Sequence, residues 1–195
     1  MIFNRVILFV CVAITLAFTN RDSAIKSTSV FLTADSSLVV RGTTNINTFT
    51  CGYNINKFKN PIPVIYFLED NKIRFSKTAL VLDTDCFDCG GKGINSDFQK
   101  ILKSDKYPQI FLMVKEINHL ENTADVQASV DIQISGITKN YKVPIKIKNS
   151  NKLLITGDLS LNLKDFNIET PKKFFGLITI DNKIEIVFQL AVKEH

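Results

Sequence analysis

The chain has 195 residues, 45% of them hydrophobic, and its 24 Lys and Arg against 19 Asp and Glu give a formal net charge of +5. This length is enough for one domain with a substantial core. The positive excess is mild and scattered, with no arginine-rich tract and no basic strip interleaved with aromatic residues. The sequence lacks the electrostatic footprint of nucleic-acid-binding proteins, and we predict that the chain binds no nucleic acid.

The first 20 residues have the pattern of a secretory signal peptide. Arg5 supplies a positive start, and an apolar run of about 13 residues follows, from Val6 to Phe18. A membrane-spanning helix needs about 20 apolar residues, so this run is too short to be one. We expect residues 1–20 to be cleaved, leaving a single domain over residues 21–195. That domain would be periplasmic or secreted, in a compartment where disulfides persist.

Cys51, Cys86 and Cys89 lie in the predicted mature domain. A redox pair formed by Cys86 and Cys89 would need a helix N-terminus or a positive charge nearby to lower the pKa of one of its thiols. Instead the pair ends an apparent strand and lies among the three aspartates of the segment DTDCFDC. A structural zinc site needs four ligands, which His119 in a predicted turn and His195 at the terminus do not complete. We therefore predict no metal and no cofactor.

A disulfide is the alternative use of these cysteines. A bond from Cys51, on an earlier strand, to Cys89 would tie the start of the sheet to the loop before the predicted helix. It would close a loop of about 38 residues and contribute on the order of 3 to 4 kcal/mol. Cys86 would then be free, or it would compete with Cys89 for the same partner, because three cysteines cannot all pair within one chain.

One helix is predicted in the segment GINSDFQKILKSDKYP. Ser96 followed by Gln99 has the spacing of a capping box, and Pro108 forbids continuation of the helix. Phe98, Ile101 and Leu102 share one helical stripe. The helix is therefore expected to pack on the sheet or to plug it.

The second half of the chain has the alternation of half-buried strands. Apolar and polar residues alternate with period two in the segments VQASVDIQI, KVPIKIK, KLLITGDLSLNL and KIEIVFQLAV, which begin at Val126, Lys142, Lys152 and Lys183. Each predicted strand has one apolar face. Lys142, Lys146 and Lys148 share the opposite, outward face of the second segment.

Three turns in the sequence share the pair Asn-Lys before an apolar strand residue, in EDNKIRF, NSNKLLI and IDNKIEI. Asn tolerates the positive φ that tight hairpin turns require, so all three predict antiparallel hairpins. Long antiparallel strands with one apolar face close into a barrel or stack as a sandwich. The residues alone leave both architectures open.

Four segments resemble the YceI-like family of exported proteins and together cover nearly the whole predicted domain. They are SLVVRGTTNINTFTC, GINSDFQKILKSDKYPQIFL, DIQISGITKNYKVPI and GDLSLNLKDFNIETPKKFFGLITIDNKIEIVFQL. The most specific part is the helix followed by Lys106-Tyr107-Pro108, with Ser135-Gly136-Ile137-Thr138-Lys139 after it. The chain departs from the family pattern in having no Trp and in carrying Phe166-Asn167 at the late Phe-Gly pair.

The resemblance implies an extended antiparallel lipocalin-like β-barrel with one short helix, whose characterised members hold a polyisoprenoid chain in an apolar interior. It implies no catalytic residues. The positions of Cys51 and Cys89 look like those of a subgroup that carries this pair, so the resemblance favours a disulfide between them.

Strand alternation gives the candidate lining of such an interior. The inward positions that would contact a long apolar lipid are Ile110, Leu112, Val114, Ile132, Ile134, Ile145, Ile147, Leu159, Leu161, Leu163, Ile184, Ile186 and Phe188. Most inward apolar residues contact only protein, so each of these also has a purely structural interpretation. The outward lysines of the KVPIKIK segment are a candidate contact with lipid headgroups or a membrane surface.

Three functions follow from these patterns. The first is a secreted or periplasmic, non-catalytic binding protein that holds a long polyisoprenoid-type lipid. The second is a ligand-free envelope module that acts through contacts with other proteins, its interior filled by side chains. The third and weakest is a thiol-disulfide protein that uses Cys86 and Cys89.

Overall fold

The computed structural model describes residues 24–69, 71–118, 126–149, 151–169, 172–173 and 178–194. The predicted signal peptide and both histidines lie outside these residues. Within the described part of the chain, no helix combines the length and the apolar character needed to cross a membrane.

The described chain consists mainly of strands. The first seven are β1 (Lys26–Leu32), β2 (Ser37–Thr44), β3 (Thr48–Tyr53), β4 (Ile62–Glu69), β5 (Lys72–Ser76), β6 (Ala79–Asp83) and β7 (Phe87–Asp88). The helix α1 (Lys92–Ile101) and the strands β8 (Gln109–Asn118), β9 (Gln127–Ile134), β10 (Ile137–Asn149), β11 (Leu153–Asn162), β12 (Lys172–Lys173) and β13 (Ile178–Glu194) follow. Short 3₁₀ turns cover Ile55–Lys57, Thr84–Cys86 and Leu163–Phe166.

The strands close into a barrel-like ring. In the order β1, β4, β5, β8, β9, β10, β11 and β13, each strand is hydrogen-bonded to the next, and β13 pairs again with β1. These eight described strands form an antiparallel ring that resembles a barrel. The ring confirms the architecture implied by the family resemblance and decides against the flat sandwich that the residues alone left open.

The 17-residue strand β13 organises the ring because two strands share one of its edges. β11 pairs along the other edge. On the shared edge, β2 pairs with residues 180–189 and β1 pairs with residues 192–194. β3 then pairs with β2, and the short β7 pairs with β3. The wall is thus extended beyond the eight-stranded ring.

The predicted alternation is present in the second half of the chain. β9 and β11 fall within two of the four segments that the period-two pattern identified, and β10 and β13 contain the other two and extend beyond them. In β9, Ala128, Ile132 and Ile134 are buried, whereas Gln127 is exposed on the opposite face. The inward face of each strand is apolar because the ring excludes water from that side, while the outer face remains in contact with it.

Two of the three predicted Asn-Lys hairpins form. Glu69 pairs with Lys72 across the β4–β5 turn, and Asn149 pairs with Leu153 across the β10–β11 turn. The third prediction is wrong, because the chain continues through IDNKIEI within β13. The pairing of β13 with β2 is irregular there, between Ile180 and Ile184. The shift in register accommodates the extra residues of β13, so the strand continues without reversing.

The β9–β10 turn explains part of the family pattern. Ser135 and Gly136 both have positive φ, 50° and 80°, between the paired residues Ile134 and Ile137. A two-residue turn of this kind matches the twist of the strands it joins. The hydroxyl of Ser135 donates a hydrogen bond of 2.8 Å to the carbonyl of Leu102, which connects the turn to the end of the helix.

Part of the apolar core lies after β11, around the 3₁₀ turn Leu163–Phe166, and we call this part the cluster after β11. Phe166 and Ile168 are 0% and 1% exposed. The ring of Phe166 is stacked on that of Tyr141, with 6.2 Å between centroids, and the Tyr141 hydroxyl donates a 3.0 Å hydrogen bond to Asp165. Burial is the main cause that raises the pKa of Tyr141 to about 12, and the bond to Asp165 adds to it.

Candidate apolar binding cavity

The ring encloses a cavity of about 480 Å³, within the range of cavities that bind small molecules. Its wall consists almost entirely of aliphatic and aromatic side chains from five strands of the ring (β8, β9, β10, β11 and β13), from β2, β3, β6 and β7, and from α1. This composition follows from the alternation, since every second residue of each strand points inward. The cavity can therefore hold an apolar molecule, and it offers little hydrogen bonding along most of its length.

Polar wall residues belong to the turn between β2 and β3 and to α1. They are Thr44, Asn47, Thr48 and Asp97. Two exposed apolar residues border the cavity at the same place, since Ile46 is 68% exposed and Ile94 is 36% exposed. The cavity therefore reaches the surface between the β2–β3 turn and α1, and we call this opening the mouth.

The helix α1 forms one side of the mouth. Phe98, Ile101 and Leu102 all border the cavity, as their predicted stripe requires, and Phe98 packs against Phe87 with 5.1 Å between ring centroids. No residue of the helix itself is fully buried. The helix thus contributes an apolar face to the cavity without belonging to the packed core.

The start of α1 differs from the prediction. The residue that precedes it is Gly91, and no side chain caps the helix, so the proposed capping box at Ser96 and Gln99 is wrong. Asn95, one residue before Ser96, makes the local side-chain hydrogen bonds instead. Its side chain accepts a 2.7 Å hydrogen bond from the Cys89 N–H and donates a 3.0 Å bond to Asp88. That bond is the main reason why the pKa of Asp88 lies below its ordinary value.

The structure brings most of the predicted lining residues to the cavity wall. Eleven positions border the cavity, namely Ile110, Leu112, Val114, Ile132, Ile134, Ile145, Leu159, Leu163, Ile184, Ile186 and Phe188. Ile147 and Leu161 do not border it. Leu161 is 2% exposed within the packed core, and Ile147 packs against that core. Contact with a ligand stays a prediction for all of these residues.

Several wall residues were not in the predicted set. Those from the first half of the chain include Leu38, Val40, Phe49, Leu80, Leu82 and Phe87, and those from the second half include Ala128, Val130, Val143 and Ile155. For Leu38 and Val40 the alternation is visible in SLVVRGTT, where they share one face with Gly42. Their strand, β2, pairs with β13 far along the sequence, which is why the pattern alone did not place them beside the cavity.

Cys51 and Cys89 form a disulfide, as the family resemblance implied. Cys51 is fully buried on β3 and borders the cavity, whereas Cys89 lies two residues before the cap of α1. The bond therefore ties the segment that leads into the helix to the wall of the barrel.

Cys86 is the free cysteine of the described residues, and it is partly buried. Its thiol donates a 3.2 Å hydrogen bond to the carboxylate of Asp85. Burial first, and then the bond and charge of Asp85, raise the pKa of this thiol. A nucleophilic cysteine needs the opposite shift, so this environment disfavours the thiol-disulfide function.

We expect Cys86 to react slowly with iodoacetamide at pH 8 and Asp85→Asn to accelerate the reaction about three- to tenfold, because the substitution removes a negative charge that keeps the thiol protonated. Mass spectrometry of the alkylated protein measures the rate, and Asp105→Asn, which removes an exposed carboxylate beyond α1, is the control. An equal rate in the wild type and Asp85→Asn would contradict this assignment.

In the part of the chain that the structure describes, no three His, Cys, Asp or Glu residues are grouped so that they could hold a metal ion. Lys142, Lys146 and Lys148 are all exposed on the outer face of β10, as predicted. The cavity is thus the feature of the described chain with the clearest capacity to bind a ligand.

Comparison with known proteins agrees with this geometry. A family model described as YceI-like domain matches residues 26–192. The chain is similar to a polyisoprenoid binding domain from Saccharophagus degradans implicated in plant cell wall breakdown, with 14% identity, a TM-score of 0.60, and coverage of 89% of this chain and 100% of that one. BcnA of Burkholderia cenocepacia gives 16% identity, a TM-score of 0.59, and coverage of 82% and 97%. At such identities these similarities show the fold alone.

A curated relative gives a weaker similarity. It is a 2-succinyl-5-enolpyruvyl-6-hydroxy-3-cyclohexene-1-carboxylate synthase of Prochlorococcus marinus, 26% identical over 167 residues. The match covers 79% of this chain, but the chain spans only 24% of the length of that enzyme. Because the chain corresponds to so small a part of that enzyme, the activity of the whole enzyme is not assigned to this chain.

Proposed function

The chain belongs to the YceI-like domain family, and from that premise we propose that it is a non-catalytic binding protein that holds a long, polyisoprenoid-type lipid in its barrel. The single observation that carries the proposal is the 480 Å³ apolar cavity inside the ring. A solved domain of the same fold from Saccharophagus degradans is described as polyisoprenoid-binding. An interior filled by its own side chains would instead have favoured a ligand-free envelope module.

The energetics of burial support a ligand of this class. Each buried methylene contributes roughly 0.8 kcal/mol, so a long hydrocarbon chain binds tightly in an apolar cavity without polar recognition. The polar residues at the mouth, Thr44, Asn47 and Thr48 with Asp97 of α1, would lie near the head of such a molecule. The proposal includes export by the segment of residues 1–20 and a periplasmic or secreted location, where the Cys51–Cys89 disulfide is stable.

Filling the cavity with a side chain tests the proposal. Ala128 is buried on β9 and borders the cavity, whereas its neighbour Gln127 is exposed on the outer face of the same strand. We expect Ala128→Phe to weaken binding of tritiated geranylgeraniol about tenfold or more, because the added ring occupies the volume of several ligand carbons. Gln127→Phe introduces the same ring on the opposite face, and its affinity should stay within about twofold of the wild type.

Circular dichroism would verify that both variants keep their fold. Native mass spectrometry of wild-type protein purified from its natural source supplies the second readout, since it reports both a bound lipid and the mass of the cleaved chain. Protein that carries no lipid and takes up no geranylgeraniol would contradict the proposed function.

A further inference from the structure

Two glycines of the barrel wall face inward, and each lies under a phenyl ring. Gly42 on β2 pairs with Phe49 on β3, and Gly157 on β11 pairs with Phe188 on β13. Both rings border the cavity, whereas neither glycine does. The rings therefore cover the glycines, and the wall at these two places is aromatic rather than backbone.

The contact between each ring and its glycine is too close for any larger residue. A Cβ atom added at Gly42 would lie 2.2 Å from Cζ of Phe49, and one added at Gly157 would lie 2.7 Å from Cζ of Phe188. Distances below 3.0 Å do not occur between such carbon atoms, so the ring would have to move. Neither glycine has positive φ in the structure, so space rather than backbone conformation requires glycine at both positions.

The two pairs lie at different levels of the barrel. Gly42 pairs with Ile184 of β13, and Phe188 of the same strand pairs with Leu38. Four residues of a strand separate these levels, which corresponds to roughly 13 Å along the barrel. Phe49 is next to Thr48 at the mouth, so one ring lies near the entrance and the other deeper inside.

We propose that Gly42 and Gly157 determine the free width of the cavity by letting Phe49 and Phe188 lie against the wall. This inference rests on the proposed function and deepens it, because it assigns the residues that let an extended, chain-like lipid pass both levels. A side chain at either glycine displaces its ring from the wall into the space that the lipid would occupy. The glycines thus control specificity without touching the ligand.

Uptake of the neutral dye 1-N-phenylnaphthylamine measures the accessible interior independently of any natural lipid. We expect Gly42→Ala to weaken dye uptake about tenfold, the equivalent of losing roughly two methylene contacts. Phe49→Leu alone is the reference for the double variant, because Phe49 itself borders the cavity. The double variant Gly42→Ala/Phe49→Leu should stay within about threefold of Phe49→Leu, because it has no ring for the new methyl group to displace.

Gly157 provides a matched contrast. A Cβ atom there would also lie 2.7 Å from the carbonyl oxygen of Pro144, which is backbone and cannot rotate away. We therefore expect Gly157→Ala to weaken dye uptake and to lower the thermal midpoint, and we expect Phe188→Leu not to restore either property in the double variant.

The outcomes separate the two proposals. Wild-type uptake by Gly42→Ala, or a double variant Gly42→Ala/Phe49→Leu that is impaired about tenfold relative to Phe49→Leu, would overturn the inference. If the wild type binds the dye but not geranylgeraniol, the proposed lipid-binding function fails while the dye series still decides the role of the glycines. If the wild type admits neither probe, both proposals are overturned.

Discussion

Replacing both Cys51 and Cys89 with alanine is expected to lower the free energy of unfolding by about 3 to 4 kcal/mol. The disulfide closes a loop of 38 residues, so its loss frees a long segment in the unfolded chain. Cys51 is completely buried, and its replacement also removes a well-packed sulfur atom from the barrel wall. Equilibrium unfolding in urea of the oxidised wild type and the double variant measures the difference.

Cys86→Ala is the matched control for this experiment. It removes the remaining cysteine of the same region without breaking a covalent bond, so its free energy of unfolding should change by less than about 1 kcal/mol. Reduction of the wild type should reproduce the effect of the double variant. Equal stability of the oxidised wild type and the double variant would show that the bond does not restrain the unfolded chain.

Phe166→Ala is expected to destabilise the protein by about 3 to 5 kcal/mol. Phe166 is 0% exposed, stacks on Tyr141 and belongs to the cluster that lies after β11. Its removal leaves a void surrounded by packed side chains, which lose their contacts without replacement by water. Thermal and urea unfolding both measure the loss.

Phe188→Ala is the natural comparison, because this ring already borders the cavity on one side. Fewer protein atoms surround it than surround Phe166, so we expect roughly half the destabilisation. A larger loss for Phe188→Ala than for Phe166→Ala would mean that the barrel interior, and not the cluster after β11, carries more of the packing energy.

Local patterning was sufficient to identify the strands of the second half of the chain. The alternation in segments such as VQASVDIQI follows from a wall that is apolar inside and solvated outside. The polarity of each residue therefore indicates which side of the wall it faces. The pairing that closes these strands into a ring could not be predicted from local patterning. The ring depends on the pairing of β1 with β13, residues separated by most of the chain, and the sequence indicated it only through resemblance to a family.

The errors have local physical causes. The segment IDNKIEI contains turn residues, yet β2 pairs with β13 on either side of them, at Ile180 and Ile184, and β11 pairs with β13 from Lys183 onward, so tertiary pairing overrides the turn preference. The proposed capping box failed because the residues before Ser96 are helical as well, and Gly91 begins the helix without a side-chain cap.

The candidate site was predictable in part because strand alternation also determines which residues point inward. Period two gives the face of a strand on which a residue lies, and it placed eleven of the thirteen proposed residues at the cavity. It does not say how far along the barrel a residue lies or which neighbours cover it. Leu161 therefore lies on the predicted face but is enclosed by protein.

The position of β13 at the end of the described chain has a consequence for biosynthesis. This strand joins β11 to both β1 and β2, so it is the seam of the barrel. Until the ribosome has delivered it, the first two strands each lack one of their two partners, and the inner faces of the nascent chain stay open to water. Closure of the barrel is therefore a late step that depends on contacts between distant parts of the sequence. Such steps are typical of slowly folding β-proteins, which benefit from protection against aggregation while they are incomplete.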